Sequence, residues 1–160
     1  MKKNKTDKSV IKLWNNFIQN RTEFENFFMP KSWYFCDNER DANECAELVV
    51  KHIKQATSTS MWWYETYNYP IPEIGDLNII TDWNGKAKAI IRTILVEKIP
   101  FKEITEEYAK IEGEGDKSLH YWKKVHWDYY TREMKSQNAS PTKNMIIVCE
   151  RFKTIWPEKA

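Results

Sequence analysis

The sequence reads as an α+β fold, and three observations predict it. Asn84-Gly85 sits between apolar runs and is a strong signal for a tight β-hairpin, which sets an antiparallel component. Apolar residues recur at helical spacing in several separate stretches. These helical stretches are interspersed with β-prone ones instead of being gathered at one end of the chain.

Residues 1–8 are Lys-rich and are expected to form a flexible N-terminus, leaving 9–160 as one domain, within the usual roughly 100–200 residues. A first helix is expected from about Ser9 to Asn20, where Val10, Trp14, Phe17 and Ile18 share one stripe. A loop with Pro30 and the run Trp33-Tyr34-Phe35 follows. Asp41 and Glu44 have capping-box spacing and predict a second helix, with Cys45, Leu48 and Val49 inward, ending near Lys51 or His52. Gln55 to Ser60 reads as a short strand. Trp62 to Tyr69 is an aromatic run of no clear period, closed by Pro70 and Pro72. Gly75-Asp76 opens a strand through Ile79 and Ile80, and the return strand runs from about Lys86 to Glu97. Pro100-Phe101 starts a helix with Phe101, Ile104, Tyr108 and Ile111 on one face. The segment Glu112-Gly113-Glu114-Gly115-Asp116 breaks it. Ser118 to about Met134 is a long helix with Leu119, Trp122, His126 and Tyr129 on one face, and Met145 to Trp156 is the last strand.

Composition narrows the function classes. Hydrophobic residues make up 41% and charged residues 30%, which excludes a disordered chain. A net charge of +2 does not describe a protein that grips long nucleic acid by charge alone, but it permits a small-ligand pocket. No run approaches the ~18 apolar residues of a membrane span, and no apolar stretch follows the basic N-terminus. The three cysteines lack CxxC spacing, and Cys45 and Cys149 lie in apolar patterns. Buried reduced thiols and a cytoplasmic location are therefore expected.

Three constellations carry chemistry. Lys54 is followed by Thr57, Ser58, Thr59 and Ser60. A Lys beside a Thr hydroxyl can favour the alkoxide or, if buried, act as a base, whereas the plain alternative is a solvated Lys beside a β-prone strand. Glu112, Glu114 and Asp116 alternate with two glycines ahead of a helix. Crowded carboxylates need a cation nearby, although the segment also reads as an acidic turn with Asp116 as a cap. Trp62-Trp63-Tyr64 with Tyr67 and Tyr69 can stack bases or fill a core. His52, His120 and His126 form no recognisable metal set, and no cofactor motif is present.

The order SWYF, AELVVKHIKQAT, IPEIGDL, the Asn-Gly hairpin, PFKEITEEYAKIEGEGD, SLHYWKKVHWDYY and CERF resembles the bacterial ASCH-domain proteins over nearly the whole chain. The block EGEGD…S-x-x-YW…H is its most specific part. The family's G-x-K-x-x-T motif is matched at Lys54 and Thr57, with His52 in place of the Gly. The resemblance implies a PUA-like β-barrel with flanking helices and a cleft where the Lys-Thr segment meets the acidic loop. It implies recognition of an RNA fragment or a nucleotide-like small molecule there, with Ser58, Trp62, Glu114 and Asp116 as ligand contacts. A related group of ASCH enzymes hydrolyses acylated cytidines. By similarity to it, Thr57 would be the nucleophile, Lys54 its activator and Glu112 the residue that orients Lys54 or relays a proton. A non-catalytic interaction domain that self-associates, for instance as a homodimer, is the third reading. Two structural expectations follow. Lys54 and Glu112 should pair, and His52 should either adopt positive φ or mark a longer helix.

Overall fold

The computed structural model describes residues 5–160. Residues 1–4 of the expected flexible N-terminus lie outside the described residues, and helix α1 already starts at Lys8. The chain divides into two compact units. One is built from Met1–His52, Asp76–Arg92 and Lys153–Ala160, the other from Ile53–Gly75 and Thr93–Phe152.

In the first unit, α1 (Lys8–Asn20) is capped by Asp7, whose carboxylate accepts from Ser9 N at 2.8 Å. The apolar stripe does what its spacing implies. Val10, Trp14 and Phe17 are buried with Phe24, Ile79 and Ile90, and Ile18 packs against them. The Trp33 segment, expected as loop, contributes a two-residue strand β1 (Ser32–Trp33), parallel to β3 (Leu77–Thr81). Helix α2 (Glu39–Val50) begins two residues before the expected Asp41. Asn38 is the cap: it accepts from Asp41 N at 2.9 Å and donates to the Asp41 carboxylate at 2.8 Å. Asn and Asp are equally good caps, and Asn38 prevails because its bond to Asp41 is reciprocal. After α2, His52 takes φ 60° and donates its N–H to Val49 O at 3.0 Å, so the positive-φ alternative holds. Its ring Nε2 lies 3.0 Å from Pro157 O. The Asn84-Gly85 turn joins β3 to β4 (Ala87–Pro100) as an antiparallel pair, with Gly85 at φ 83°.

In the second unit, β2 (Ala56–Ser60) is antiparallel to β5 (Ile146–Trp156), with Thr57 opposite Glu150 and Ser58 opposite Cys149. The aromatic run forms a short helix α3 (Met61–Thr66), capped by Ser60 on Trp63 N at 3.1 Å. The helix expected from Pro100 is split. Phe101–Glu103 is a 3-10 turn, and α4 (Glu106–Glu112) starts only after Thr105 caps Tyr108 N at 3.2 Å. Helix α5 (Leu119–Lys135), capped by Ser118, buries Trp122, His126, Tyr130 and Met134. Tyr130 replaces the expected Tyr129 because the buried row advances in steps of four. These rings pack with Ala56, Phe101, Ile104, Tyr108, Ile147 and Cys149 into one core.

The five strands are ordered β1-β3-β4-β5-β2 in a mixed sheet. The α+β class stands. The order is linear, with β1 and β2 at its two ends, so the sheet does not close into the expected barrel.

Candidate functional site

Lys54 lies just before β2 and is 1% exposed. A buried ammonium needs acceptors, and its Nζ has them. It lies 2.8 Å from Ala56 O, 3.0 Å from a Glu114 carboxylate oxygen and 3.5 Å from Glu112 Oε1. The expected Lys54–Glu112 pair is therefore present, and Glu114 is closer still. Close backbone approach makes it possible. Gly113 ends α4 at φ 77°, and a Cβ there would sit 2.5 Å from Ile53 O. Only Gly satisfies both the left-handed angle and that clearance. Gln55 N then bonds Ile111 O at 2.9 Å, tying the Lys54 segment to the end of α4.

Glu112, 2% exposed, is the hub. One carboxylate oxygen accepts from Ser58 Oγ at 2.6 Å and from Trp122 Nε1 at 2.5 Å. The other faces His126 Nε2 at 3.0 Å as well as Lys54. His126 Nδ1 lies 2.8 Å from the Trp122 carbonyl, and its ring stacks on the Trp122 indole at 4.0 Å between centroids. Both ring nitrogens thus face acceptors. A neutral imidazole donates from only one of them, so the geometry calls for an imidazolium. Burial alone would push the Glu112 carboxyl up. The charges of His126 and Lys54, with hydrogen bonds from His126 and Ser58, instead hold it well below its ordinary range. Burial likewise disfavours charge on His126, and the Glu112 carboxylate beside it more than reverses this, raising the His126 pKa. Lys54, His126, Glu112 and Glu114 together carry no net charge. Ser58 Oγ also contacts Tyr108 Oη at 2.9 Å, and Tyr108 and Tyr130 donate to the carbonyls of Thr57 and Ser58 at 2.9 Å each. The network is a clamp on β2.

Of the expected site residues, Lys54, Glu112, Glu114 and Ser58 come together. Thr57 does not join them. Side chains alternate along a strand, and Ala56, Ser58 and Ser60 are the buried set. Thr57 and Thr59 therefore project from the other face, shared with Glu150, the register partner of Thr57. Glu150 is 5% exposed and accepts from Thr93 Oγ1 at 2.6 Å. Tyr64 stands beside this row. Burial pushes its hydroxyl up to about 12 against a hydrogen bond with Thr59, and Glu150 adds to the rise. Trp62 packs against the core and meets the Tyr67 ring edge-on at 6.3 Å, while Trp63 pairs with Tyr64, Tyr67 and Tyr69 at 5.2–5.6 Å. Asp116 is exposed and accepts from Ser118 N at 2.9 Å, but the cap of α5 is Ser118 and not Asp116.

Sequence reasoning missed His126, Trp122, Tyr108, Glu150 and Thr93. Trp122 and His126 stand in the block that carries the resemblance, but spacing alone assigns them no partner. Glu112, Glu114 and His126 each place a ligand atom within 4.8 Å of the others, the chemistry of a divalent-cation site. The Lys54 ammonium already lies against both carboxylates, and His126 directs its Nε2–H at Glu112, so these groups serve one another as counter-ions.

A family model described as the ASCH domain matches residues 31–156, which run through both units. The crystal structure of an ASCH domain from Lactobacillus crispatus JV V101 superposes with a TM-score of 0.86 at 29% identity, covering 96% of this chain and 98% of that one. A crystal structure of a protein from Enterococcus faecalis V583 gives 0.83 at 31% identity, covering 92% and 88%. The hypothetical protein PH0355, at 0.51 and 17% identity over 79% of this chain and 100% of its own, shares the fold alone. No curated protein matches the chain. The chain belongs to the ASCH domain family, which is thought to bind RNA.

Proposed function

We propose that this chain binds single-stranded RNA or a nucleotide-like ligand on the Thr57 and Thr59 face of β2, against the rings of α3 and the segment after it. The Lys54–Glu112–His126 network holds that strand from its other face. One observation carries the reading. A strand of half-buried hydroxyls stands next to a ring cluster in which Tyr67 and Tyr69 remain 47% and 39% exposed. Aromatic platforms stack any base, and hydroxyls hydrogen-bond base edges or ribose. No helix of the described residues is long and apolar enough to cross a membrane. The test is a fluorescence titration with short single-stranded RNA. Wild type should bind, and Tyr67→Ala with Tyr69→Ala should weaken binding about tenfold or more at one stacked base each. Binding unchanged by both substitutions overturns the reading.

The amidohydrolase reading rests on the convergence of Lys54 and Glu112. The acceptors around Lys54 Nζ weigh against its service as a free base, and Ser58, not Thr57, reaches Glu112. Turnover of an acylated cytidine that Thr57→Ala abolishes would favour it nonetheless.

A further inference from the structure

Cys36 and Cys45 bring two thiols to 3.7 Å, sulfur to sulfur, within the first unit. Nine positions separate them in sequence, and no CxxC pattern announces the pair. Cys36 sits in the loop between β1 and the Asn38 cap, half-buried and at φ 67°, a backbone state that non-glycine residues seldom hold. Cys45 is on the inner face of α2 and is 2% exposed. The loop is fixed on the helix side by the reciprocal Asn38–Asp41 bonds. The two sulfurs are therefore presented to one another by ordered backbone.

We infer that Cys36 and Cys45 form a redox-active dithiol that hydroperoxides oxidise to an intramolecular disulfide. The difference in exposure assigns the order of events. Cys36, the more exposed of the two residues, attacks the peroxide as its thiolate. An S–O bond forms, the O–O bond breaks, and the leaving oxygen departs as alcohol or water, giving a sulfenic acid. The Cys45 thiolate then attacks Cys36 Sγ, forming the S–S bond and expelling the sulfenic oxygen as water. Two thiols lose two electrons, the peroxide gains them, and the products are a disulfide, an alcohol or water, and one further water. The burial of Cys45 keeps it from direct attack by peroxide and makes it the resolving thiol. Cys149, buried in the other unit, takes no part.

The experiment treats the full chain with a small excess of hydrogen peroxide, then denatures it, alkylates free thiols and reads intact and peptide masses. The expected result is the loss of two hydrogen masses, alkylation at Cys149 alone, a Cys36–Cys45 cross-linked peptide and full reversal by dithiothreitol. In Cys45→Ala, Cys36 should stop at a sulfenic acid that a dimedone probe traps. In Cys36→Ser, Cys45 should stay reduced, and Cys149→Ser should oxidise as wild type does. Three alkylatable thiols after treatment would overturn the inference. So would a disulfide through Cys149, a cross-link between chains, or sulfinic acid at Cys36 with Cys45 still free.

Discussion

Replacing Glu112 by Gln keeps the volume of the hub and removes its charge. The amide oxygen can still accept from Ser58 and Trp122, which meet one carboxylate oxygen at 2.6 and 2.5 Å. What is lost is the charge that faces His126 at 3.0 Å and Lys54 at 3.5 Å. Removing one partner of a buried pair costs about 3–5 kcal/mol. The retained bonds, and the freedom of His126 to give up its proton, place Glu112→Gln at the lower end, about 3 kcal/mol. Against a total of about 5–15 kcal/mol, a shift of that size is plain in a urea titration read by its midpoint and slope. The pH dependence is a second signature. The His126 pKa is raised in the folded chain, so its contribution is complete below the ordinary value of 6.5 and is lost as pH rises through the folded value. That of Glu112 is lowered, so its contribution is present above 4.5 and is lost as pH falls through the folded value. Wild-type stability should therefore be highest between those two values and decline on the alkaline side, and the gap to Glu112→Gln should narrow there. A variant within about 0.5 kcal/mol of wild type, the scatter of ordinary surface changes, would show that the Glu112 charge does not hold this network together. So would a wild-type profile that is flat or rising from neutral to alkaline pH.

Two further substitutions test the backbone around the clamp. Gly113→Ala puts a Cβ 2.5 Å from Ile53 O at φ 77°, and should cost more than about 2 kcal/mol in the same titration, with a flattened response to pH if Lys54 is displaced. His52→Gly relieves a left-handed angle worth about 1–2 kcal/mol but removes the ring contact to Pro157 O. A hydrogen bond contributes about 1 kcal/mol net. The melting temperature should therefore move little, while His52→Ala, which keeps the strain and loses the bond, should lower it.

Much of this architecture is legible in local pattern. The stripe of α1 and the Asn-Gly hairpin are set by neighbours in sequence, and they fall where their periods place them. Errors arise where two local signals compete or none is present. Asn38 and Asp41 are both good caps, and only the reciprocal bond decides between them. Pro100-Phe101 looks like a helix start, but Thr105 caps the actual helix. Helix α3 is six residues of mixed rings, too short to show a period. The site is harder because its bonds are tertiary. The Lys54–Glu112 pair follows from the resemblance, whereas the His126–Glu112 bond spans 14 positions across a turn. Thr57 and Ser58 show the limit most clearly. They are neighbours of like chemistry, and which one meets Glu112 depends on which face of β2 the sheet turns inward.

RNA affinity measured beside thermal stability separates the two faces of β2. Thr57→Val removes a hydroxyl from the proposed ligand face and keeps the side-chain shape. Ser58→Ala removes a donor to Glu112 from the buried face. Thr57→Val should weaken binding of short single-stranded RNA several-fold at an unchanged melting temperature. Ser58→Ala should lower stability by about 1–3 kcal/mol, and the folded fraction should bind as wild type does. The reverse pattern, with binding lost in a stable Ser58→Ala and unaffected in Thr57→Val, would contradict this assignment of the two faces.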